Sequence, residues 1–586
     1  MENFKTGYPS IDKTHIEDAT FFEKHPIIPS IDIYNALKLI SSSYKKDDAV
    51  NCLETTINFE ELINNAAILS KSFKELGIKN DDIIVVCMPN YIQAITVYLA
   101  ANRIGAVTTF LNASSSVDEI KHYLNLFESP LFVNYDKSME YNQNIKKDTR
   151  VKQVVTLEKK DLNIKKFDSL SNVSGYSDFI SFKDMQAVAN YYKKPFRTIY
   201  GGNQNSLILF TSGSTGNPKS VLLTNKNILA SGIYMKNSTH LSNVRGEKSL
   251  VCVPFSYPYG FVTSTLMSLL CGRQAILTPN LSYENISYFL EKKPNIVFGS
   301  PALLELIKRN VPIEQDLSSI NTFISGGDFL TISQYSKAKQ FFKDHNNSSI
   351  AICNGSGNAE TTGASTNAVG LEIRPETVGK VLLGTDAIIM DEETGKELKY
   401  GEEGLLCING KHVFKEYYKS PDITSQSKFV YKGKTYFKTG ARGILDEQGY
   451  FTLTGRNTRF YIMSTLNKVY CDRVQNIISS IDIVDSCAVV KKPDKDNLFV
   501  GKAFIVLKDG VEPSQECIEY IKEKLKGQLL INGKDEYAQL KTYEIPNSFQ
   551  FVSKLPRIKD ADKIDYIYLE KLADEEYQQE KVKVLR

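Results

Sequence analysis

One short segment, TSGSTGNPKS from Thr211 to Ser220, combines glycines, hydroxyl side chains, a proline and a lysine. Apolar stretches flank it, SLILF before and VLLTNKNILA after. This order is typical of a strand, a flexible loop and then a helix. Such a loop suits phosphate, because glycines let backbone N–H groups approach the oxygens, hydroxyls add donors and a lysine adds positive charge. The segment therefore predicts a phosphate-binding loop.

The spacing within this loop differs from that of a Walker A loop. A Walker A loop places glycine directly before lysine, whereas Asn217 and Pro218 separate Gly216 from Lys219 here. A short string of glycine and serine is also common in surface turns. On these residues alone two interpretations stay open: a phosphate loop of another kind, and a plain surface turn.

Composition places the chain among large globular proteins. Its 586 residues suggest about two to four folding units. Apolar residues make up 42% and charged residues 24%, which allows large buried cores. The 71 basic and 68 acidic side chains nearly balance, so composition gives no support for binding nucleic acid or an anionic membrane.

The sequence carries no pattern for export or membrane insertion. Its start, MENFKTGYPSIDKTH, lacks the basic and apolar regions of a signal peptide. No stretch approaches the roughly 18 apolar residues of a membrane span. The nine cysteines occur singly without a CxxC pair, which predicts reduced thiols in a cytoplasmic protein.

Hydrophobic periodicity predicts the elements that must position the loop. The segment 59–77 repeats apolar residues along one helical face and ends at Gly77. IIVVCM, from Ile83, then predicts a fully buried strand, and another helix running into a strand follows it. Strands separated by helices imply parallel sheets covered on both faces.

The pattern changes near residue 450. GILDEQGYFTLTGR predicts a β-hairpin around DEQG, and later apolar stretches with the helical SQECIEYIKEKLKGQL predict a small α+β unit. We place the domain boundary at about Thr458, which divides the chain into domains 1–457 and 458–586. The lysine-rich stretch from about 135 to 200 interleaves acidic residues, which favours a solvated surface over a nucleic-acid site.

Longer segments resemble the adenylate-forming superfamily, which includes acyl- and aryl-CoA synthetases, luciferases and the adenylation domains of nonribosomal peptide synthetases. LFTSGSTGNPKSVLLTN is similar to its phosphate-binding signature, with Ser220 in place of the last glycine. Further similar segments follow in the family's order: VPFSYPYGF, FISGGDFL, NGSGNAETTG, FKTGARGILDEQGYFTLTGR and KLPRIKDADKID. The resemblance therefore covers almost the whole chain.

This resemblance implies an α/β fold: a large N-terminal AMP-binding domain of parallel or mixed sheets flanked by helices, and a small mobile α+β C-terminal lid. It also implies a reaction. A carboxylate attacks the α-phosphate of ATP to give an acyl-adenylate and pyrophosphate, and the acyl group passes to a thiol of CoA or of a carrier protein's phosphopantetheine. Because an anion attacks a polyanion, catalysis must rest on positioning and charge neutralisation. Mg²⁺ is the implied metal.

The resemblance also implies roles for individual residues. Lys563 bridges the carboxylate and the α-phosphate, Glu360 coordinates Mg²⁺ together with Thr215, and Tyr257 is an aromatic gate in the catalytic set. The remaining residues are expected to bind the nucleotide: Thr211, Ser212, Gly213, Ser214, Thr215, Gly216 and Lys219 around the phosphates, Ser325, Gly326, Gly327, Asp328, Ser356 and Gly357 beside the adenine and acyl group, and Arg456 near the ribose or phosphates.

Several positions depart from the family pattern. Ala441 replaces the aspartate that binds the ribose hydroxyls, which predicts a loss of about 2–3 kcal/mol of ATP binding. Ser356 replaces the aromatic residue that stacks on adenine, and Ala359 replaces a threonine. Tyr257 stands where the family has histidine, and Thr458 where it has a hinge aspartate or lysine. The final motif has Ile558 for threonine and one extra residue before Lys563.

These observations leave two functions open. The first is an ATP-dependent ligase that activates an aryl or aliphatic acid. An α-amino acid is less favoured, because PFSYPYGF has no aspartate for the ammonium group, and both CoA and a carrier protein remain possible acceptors. The second, suggested by Ala441, Ser356 and Ala359, is a non-catalytic or nucleotide-impaired homologue that acts as a binding or scaffold protein.

Overall fold

A computed structural model of the chain describes residues 5–17, 19–163, 165, 178–211, 218–238, 245–279, 281–282, 284–328, 330, 332–368, 372–456, 459–463, 468–495, 497–526, 529–531, 536–538, 540, 542–558 and 563–584. The predicted hinge residue Thr458 lies outside these ranges. So do five of the predicted loop residues, Ser212, Gly213, Ser214, Thr215 and Gly216. Their assigned roles stay predictions.

We call one sheet the cleft sheet, because the carboxyl ends of its strands border the candidate site. Within the described ranges, its strands in spatial order are Lys380–Val381, Thr366–Asn367, Ala351–Ser356, Thr322–Ser325, Ile296–Gly299, Lys248–Val251, Gln274–Leu277, Asp48–Cys52 and Thr55–Asn58. The six strands from Ala351–Ser356 to Asp48–Cys52 in that order pair in parallel. Their carboxyl ends therefore meet at one edge.

A second sheet, the loop sheet, carries both ends of the phosphate-loop segment. Its described strands in spatial order are Glu416–Tyr417, Ser220–Thr224, Asn205–Phe210, Val107–Leu111, Ile83–Cys87, Leu131–Tyr135, Gln153–Leu157 and Phe179–Ser181. A helix does not follow the loop directly, so that prediction was wrong. Ser220–Thr224 is a fully buried strand antiparallel to Asn205–Phe210, and the helix begins only at Asn225. An apolar run buried on both faces satisfies its backbone by pairing in a sheet.

A third sheet is antiparallel and completes the large domain. Its described strands are Glu397–Leu398, Asp386–Met390, Glu403–Asn409, Lys434–Leu445 and Lys428–Tyr431, with Phe451–Arg456 paired to Lys434–Leu445. The predicted hairpin around DEQG is confirmed, because Leu445 pairs with Phe451 across it. This sheet places Thr439, Gly440 and Ala441 beside the cleft.

Helices cover the sheets of the large domain. Those described are Pro9–Asp12, Phe21–Lys24, Ile33–Ile40, Phe59–Glu75, Ile92–Arg103, Val117–Leu126, Met139–Lys147, Met185–Ala189, Asn225–Ser238, Met267–Leu270, Ile286–Glu291, Pro301–Asn310, Ile332–Asp344 and Pro421–Ser427. The predicted helix 59–77 is confirmed, with Asn58 and Glu61 capping its start. Helix Ile92–Arg103 is buried along almost its whole length. It belongs to a core shared by residues of the cleft sheet and the loop sheet.

The chain after residue 459 forms a smaller α+β unit, which we call the lid. Its described strands are Phe460–Ile462, Lys468–Tyr470, Val484–Asp494, Leu498–Leu507, Leu529–Ile531, Glu536–Ala538 and Ser548–Phe551, and its helices are Cys471–Ser479, Gln515–Lys526 and Tyr566–Val584. Two apolar clusters are built from lid residues, one around Val474 and one around Phe504. The predicted fold class, a large α/β part with mixed sheets and a small α+β part, is confirmed. The boundary at Thr458 stays a prediction.

Two further expectations concern cysteines and membrane spans. All nine cysteines lie in the described ranges, and each is an unpaired thiol, as predicted. Among the helices described, none has the length and apolar character needed to cross a bilayer.

A π-helix was not predicted from the sequence. It spans Tyr259–Leu266, and hydroxyls of its own turns bond back along it: Ser264 Oγ to the Tyr259 carbonyl at 2.9 Å and Thr265 Oγ1 to the Gly260 carbonyl at 2.8 Å. The sequence signal was the run of hydroxyl residues in FVTSTLMS. Short π-helical segments are often found at functional sites.

Gly260 allows the chain to enter this π-helix. A Cβ built on Gly260 would lie 2.2 Å from the carbonyl oxygen of Pro254 and 2.4 Å from that of Val253. The Tyr257 amide donates to the Pro254 carbonyl at 3.1 Å in the same turn. A side chain at position 260 would therefore push against backbone and displace the turn that holds Tyr257.

We expect Gly260→Ala to lower the free energy of unfolding by about 1–3 kcal/mol, because the clash is with backbone that cannot rotate away. Chemical denaturation followed by circular dichroism measures the change. Gly232→Ala is the matched control: it also lies in a helix, and its added Cβ would meet only Leu270 Cδ1 at 3.9 Å. The control should be neutral or stabilising by up to about 1 kcal/mol. Equal effects of the two substitutions would contradict the role assigned to Gly260.

Candidate active site

A cleft of about 1410 Å³ lies at the carboxyl edge of the cleft sheet, with the lid as its opposite wall. The strand ends Gly299, Ser325 and Ser356 line it, as do Thr211 and Lys219 at the base of the loop. Ligands of open α/β sheets bind at this kind of edge, where loops leave the strand ends. The described residues predicted from the sequence, apart from Arg456, therefore line one cleft.

Thr211 and Lys219 close the base of the phosphate loop. The Lys219 amide donates to Thr211 Oγ1 at 2.9 Å, and the Thr211 amide donates to the Lys219 carbonyl at 3.1 Å. Because Thr211 uses its hydroxyl to hold Lys219, that hydroxyl already has a structural partner. The Lys219 ammonium lies 5.1 Å from the centroid of the Tyr417 ring. The tip of the loop between them lies outside the described residues.

Glu360 is a carboxylate buried beside this lysine. It sits in the 3₁₀ turn Ala359–Thr361, and only 7% of the residue is exposed. The Tyr417 hydroxyl donates to Glu360 Oε1 at 2.6 Å. Burial raises the pKa of Glu360, and the hydrogen bond from Tyr417 and the charge of Lys219 act in the opposite direction. A second cation near Glu360 would favour its charged form further.

Asn358 and Gly357 hold the turn that carries Glu360. Asn358 Oδ1 accepts from the Thr361 amide at 3.0 Å, and its Nδ2 donates to the Thr439 carbonyl at 3.2 Å, which links the turn to the third sheet. A Cβ on Gly357 would lie 2.4 Å from the Gly363 carbonyl oxygen. The glycine is thus required for the close approach of two backbone segments.

The segment Ser325–Asp328 follows the end of strand Thr322–Ser325 and lines the cleft. The Gly326 amide donates to the Gly299 carbonyl at 2.9 Å. A Cβ on Gly326 would lie 3.1 Å from the ring of Tyr259, whose hydroxyl donates to the Ile324 carbonyl at 2.6 Å. Tyr259 therefore packs flat against this strip and forms one wall of the cleft.

Three buried hydroxyls that line the cleft lack partners among the described residues: Ser256 Oγ, Thr263 Oγ1 and Ser325 Oγ. A buried hydroxyl without a hydrogen bond is unfavourable. Such groups at a cleft wall fit a site that is completed by a polar ligand.

Ala441 and Arg456 are directly opposite each other on paired strands of the third sheet. Ala441 lines the cleft, so the position at which the family has an aspartate faces the space where the nucleotide is expected. Ser356 ends its strand at the same cleft, and its amide donates to Thr366 Oγ1 at 3.2 Å. The side chain of Arg456 lies outside the described residues, and its predicted role stays a prediction.

Lys563 reaches the cleft from the lid. Its ammonium lies 5.6 Å from the centroid of the Tyr257 ring. Its Cε would lie 3.6 Å from a Cβ built on Gly327. The Ile558 amide donates to the Lys563 carbonyl at 2.7 Å, next to the antiparallel bridge between Arg557 and Ile564. The lysine predicted from the end of the sequence therefore lies beside the gate residue and the strip 325–328.

Sequence reasoning missed Tyr417 and Arg459. Tyr417 lies in EYYKS, a segment in which only the tyrosine hydroxyl offered a signal. Arg459 follows the predicted hinge: its guanidinium pairs with Asp472, donates to the Val489 carbonyl at 2.7 Å and stacks on Tyr566 at 3.3 Å from the ring centroid. This cluster fixes the lid segment that begins three residues after Lys563.

The side chains around Glu360 fit a magnesium ion that is bound mainly by the phosphate oxygens of a nucleotide. In the described part of the chain no group of three or more His, Cys, Asp or Glu side chains is placed to hold a metal. One buried carboxylate, Glu360, lies near the loop base. Mg²⁺ commonly binds through one or two carboxylates together with phosphate oxygens, so a single carboxylate is compatible with it.

His412 lies behind the Glu360 turn and is fully buried. Its carbonyl accepts a hydrogen bond from Thr362 Oγ1 at 2.5 Å, and its ring packs edge-on to Tyr234. Neither ring nitrogen has a hydrogen-bond partner among the described residues. Burial lowers the pKa of His412 to about 3. The folded protein therefore holds this imidazole neutral where an unfolded chain would protonate it.

Comparison with known proteins identifies the family to which the chain's two domains are similar. Residues 41–418 match the family described as AMP-binding enzyme, and residues 473–561 match the AMP-binding enzyme C-terminal domain. The long-chain-fatty-acid–CoA ligase of Bacillus subtilis is 23% identical over 549 residues, covering 90% of this chain and 92% of that ligase.

Two solved structures share the fold. MatB of Rhodopseudomonas palustris with bound ATP is 21% identical and superposes with a TM-score of 0.77 over 93% of this chain and 99% of that one. The anthranilate CoA ligase AuaEII in complex with anthranoyl-AMP is 18% identical, with a TM-score of 0.77 over 93% of this chain and 98% of that one. At these identities the likeness concerns the fold alone.

We expect His412 to make stability fall as pH drops from about 6.5 towards 3. In that window the unfolded chain binds a proton at position 412 and the folded chain does not, which costs up to about 1.4 kcal/mol per pH unit. His412→Leu should remove this slope, as measured by urea unfolding at pH 6.5 and pH 4.5. His122→Leu, at an exposed position, is the control. An unchanged slope in His412→Leu would refute the assignment.

Proposed function

The chain belongs to the AMP-binding enzyme family, and on this premise we propose that it is an ATP-dependent acid–thiol ligase. It activates a carboxylic acid as the acyl-adenylate and then transfers the acyl group to the thiol of CoA. Two relatives from Bacillus subtilis, matched over 92% and 93% of their length, are named a long-chain-fatty-acid–CoA ligase and a putative acyl–CoA ligase, which supports CoA rather than a carrier protein as the acceptor. A carrier protein remains the second acceptor to test.

One observation carries the proposal: Lys219, Glu360 and Lys563 come from three distant parts of the chain and line the same cleft. Two ammonium groups and one carboxylate around a cleft are what the transfer of an AMP group to an acid requires. Lys219 stands at the base of the loop that receives the β- and γ-phosphates. Lys563 lies opposite, beside the strip that receives the adenine and the acyl group.

In the first step the acid's carboxylate oxygen attacks the α-phosphorus of ATP. The bond from the α-phosphorus to the bridging oxygen breaks, and pyrophosphate leaves. Lys563 lies between the two negative reactants and reduces their repulsion, while Lys219 and the loop amides hold the leaving group. When bound, Mg²⁺ supplies further positive charge at the phosphates, and Glu360 is the residue that would hold it.

In the second step the thiol releases its proton to water, and its sulfur attacks the acyl carbonyl carbon. A thioester forms, the bond to the AMP oxygen breaks, and AMP leaves. For this step we propose that the lid rotates near Thr458 and removes Lys563 from the cleft. The acid lacks an α-amine, because the wall formed by Val253–Phe261 offers no carboxylate for an ammonium group. An aryl or aliphatic acid fits the Tyr257 and Tyr259 rings better.

Pyrophosphate release measured with a panel of aryl and aliphatic acids tests the function. We expect activity with at least one acid, and a decrease of about 10²–10³-fold in Lys563→Ala, because a charge that stabilises the transition state is lost. Lys571→Ala, an exposed lysine of the same lid, should retain full activity. No release with any acid, together with no binding of ATP by calorimetry, would instead support a scaffold protein that keeps the fold.

Restoring the ribose carboxylate tests the placement of the nucleotide. We expect Ala441→Asp to tighten ATP binding by about 2–3 kcal/mol, because a carboxylate accepts charge-assisted hydrogen bonds from both ribose hydroxyls. Ala441→Asn, which has the same size without the charge, should gain less. Calorimetric titration with ATP measures both variants. An unchanged affinity in Ala441→Asp would contradict the ribose assignment.

A further inference from the structure

The side chain of Lys563 is confined between two residues of the large domain. Its Cε approaches Gly327, where an added Cβ would lie at 3.6 Å, and its ammonium lies 5.6 Å from the centroid of the Tyr257 ring. A cation within about 6 Å of an aromatic centroid is attracted by the negative face of the ring. The side chain of Lys563 therefore passes beside Gly327, and its ammonium lies near the Tyr257 ring.

Backbone hydrogen bonds hold the turn that carries Tyr257. Its amide donates to the Pro254 carbonyl at 3.1 Å, and its carbonyl accepts from the amides of Gly260 and Phe261 at 3.0 and 3.1 Å. Gly260 allows this turn to close, because a side chain at position 260 would clash with the carbonyl oxygens of Pro254 and Val253. These bonds fix the backbone at Tyr257, and with it the direction in which its side chain leaves the chain, at the start of the π-helix.

The lid also meets the large domain away from the cleft, where the Arg442 guanidinium lies 4.7 Å from the centroid of the Tyr470 ring and neither residue lines the cleft. Lys337 and Asp485 form an ion pair at 3.1 Å, but both side chains are more than 40% exposed, and such pairs contribute little. Asp328 acts on the lid through its charge: burial raises the pKa of Tyr566 to about 12, Arg459 lowers it and Asp328 raises it. None of these interactions places the ammonium of Lys563 itself.

We propose that Tyr257 is a positioning residue for Lys563, whose ring face holds the lysine ammonium at the reacting centre during adenylate formation. This inference rests on the proposed function. The ring suits the task because it attracts a cation without neutralising it. A carboxylate at the same position would pair with the lysine and repel the incoming acid. The phenol hydroxyl is not needed for this role, so phenylalanine should replace tyrosine.

A double-mutant cycle on adenylate formation separates positioning from a role as a wall of the acyl pocket. Single-turnover formation of acyl-adenylate is measured in Tyr257→Leu, Lys563→Ala and the double variant. We expect Tyr257→Leu to slow the step about tenfold, and to have less than about twofold effect when Lys563 is already alanine. Losses that multiply in the double variant would overturn the proposal.

Two further variants sharpen this cycle. Tyr257→Phe keeps the ring face and should form adenylate within about twofold of the unmodified protein; a loss as large as in Tyr257→Leu would overturn the proposal. Tyr288→Leu is the matched control, since Tyr288 also lies under a lysine, Lys292, at 4.5 Å from the ring centroid, but does not line the cleft. It should leave adenylate formation unchanged.

Hydrogen–deuterium exchange of the full chain without ligands gives a readout that does not depend on activity. The Ile558 amide donates to the Lys563 carbonyl and the Asp565 amide donates to the Pro556 carbonyl at 2.9 Å, so both amides report on the backbone pairing beside Lys563. We expect both amides to exchange faster in Tyr257→Leu and normally in Tyr257→Phe. Equal exchange in all three proteins would overturn the proposal. If no acid gives adenylate, the proposed function fails, and the exchange measurement still decides whether the Tyr257 ring holds the Lys563 side chain.

Discussion

The hydrogen bond between Tyr417 and Glu360 ties together the parts of the large domain that form the site. Glu360 follows a strand of the cleft sheet, and Tyr417 belongs to the loop sheet, where it pairs with Val221 just after the phosphate loop. Asn358, two residues before Glu360, bonds the third sheet through the Thr439 carbonyl. Because a buried carboxylate must be hydrogen-bonded, the three sheets can meet here in few other ways. The loop base, the metal-binding candidate and the ribose wall take their relative positions from this junction.

The lid obeys a different constraint. Within it, Arg459 is almost enclosed and is compensated by Asp472, the Val489 carbonyl and the ring of Tyr566. Breaking this cluster would leave a buried charge without its partners, which is costly. Between the lid and the large domain, by contrast, the described contacts include an exposed ion pair, a lysine over a ring and an arginine over a ring. A rigid body with weak outer contacts is suited to rotate as a unit.

The departures from the family pattern have different structural meanings. Ala359 is buried and packs into the main core of the large domain, so a larger polar residue there would need a new partner. Ser356 and Ala441 both line the cleft, where they leave more room beside the expected adenine and ribose. The phosphate side of the site keeps its charged groups. The candidate site therefore keeps its charged groups where the phosphates are expected and is altered where the nucleoside is expected.

The sequence by itself determined the family, the fold class, several elements and the order in which the motifs occur. Apolar periodicity and a long ordered set of motifs were sufficient for helix Phe59–Glu75, for the hairpin around DEQG and for the choice of Lys219, Glu360 and Lys563. These features are local, because each depends on residues within one or two turns of chain. Sequence reasoning was insufficient to assign Ser220–Thr224 as a strand, because a short apolar run is compatible with either a strand or a helix until its neighbours are known.

Only the tertiary structure decided which distant residues face one another. Tyr417 lies 57 residues from Glu360 along the chain, and the ring of Tyr257 meets a lysine from the other domain. No local pattern marks either pair, because their energies arise from burial and electrostatics between separate elements. The chemistry of the site was readable in the residue types, whereas the partners that orient those residues follow from how the sheets and the lid close around the cleft.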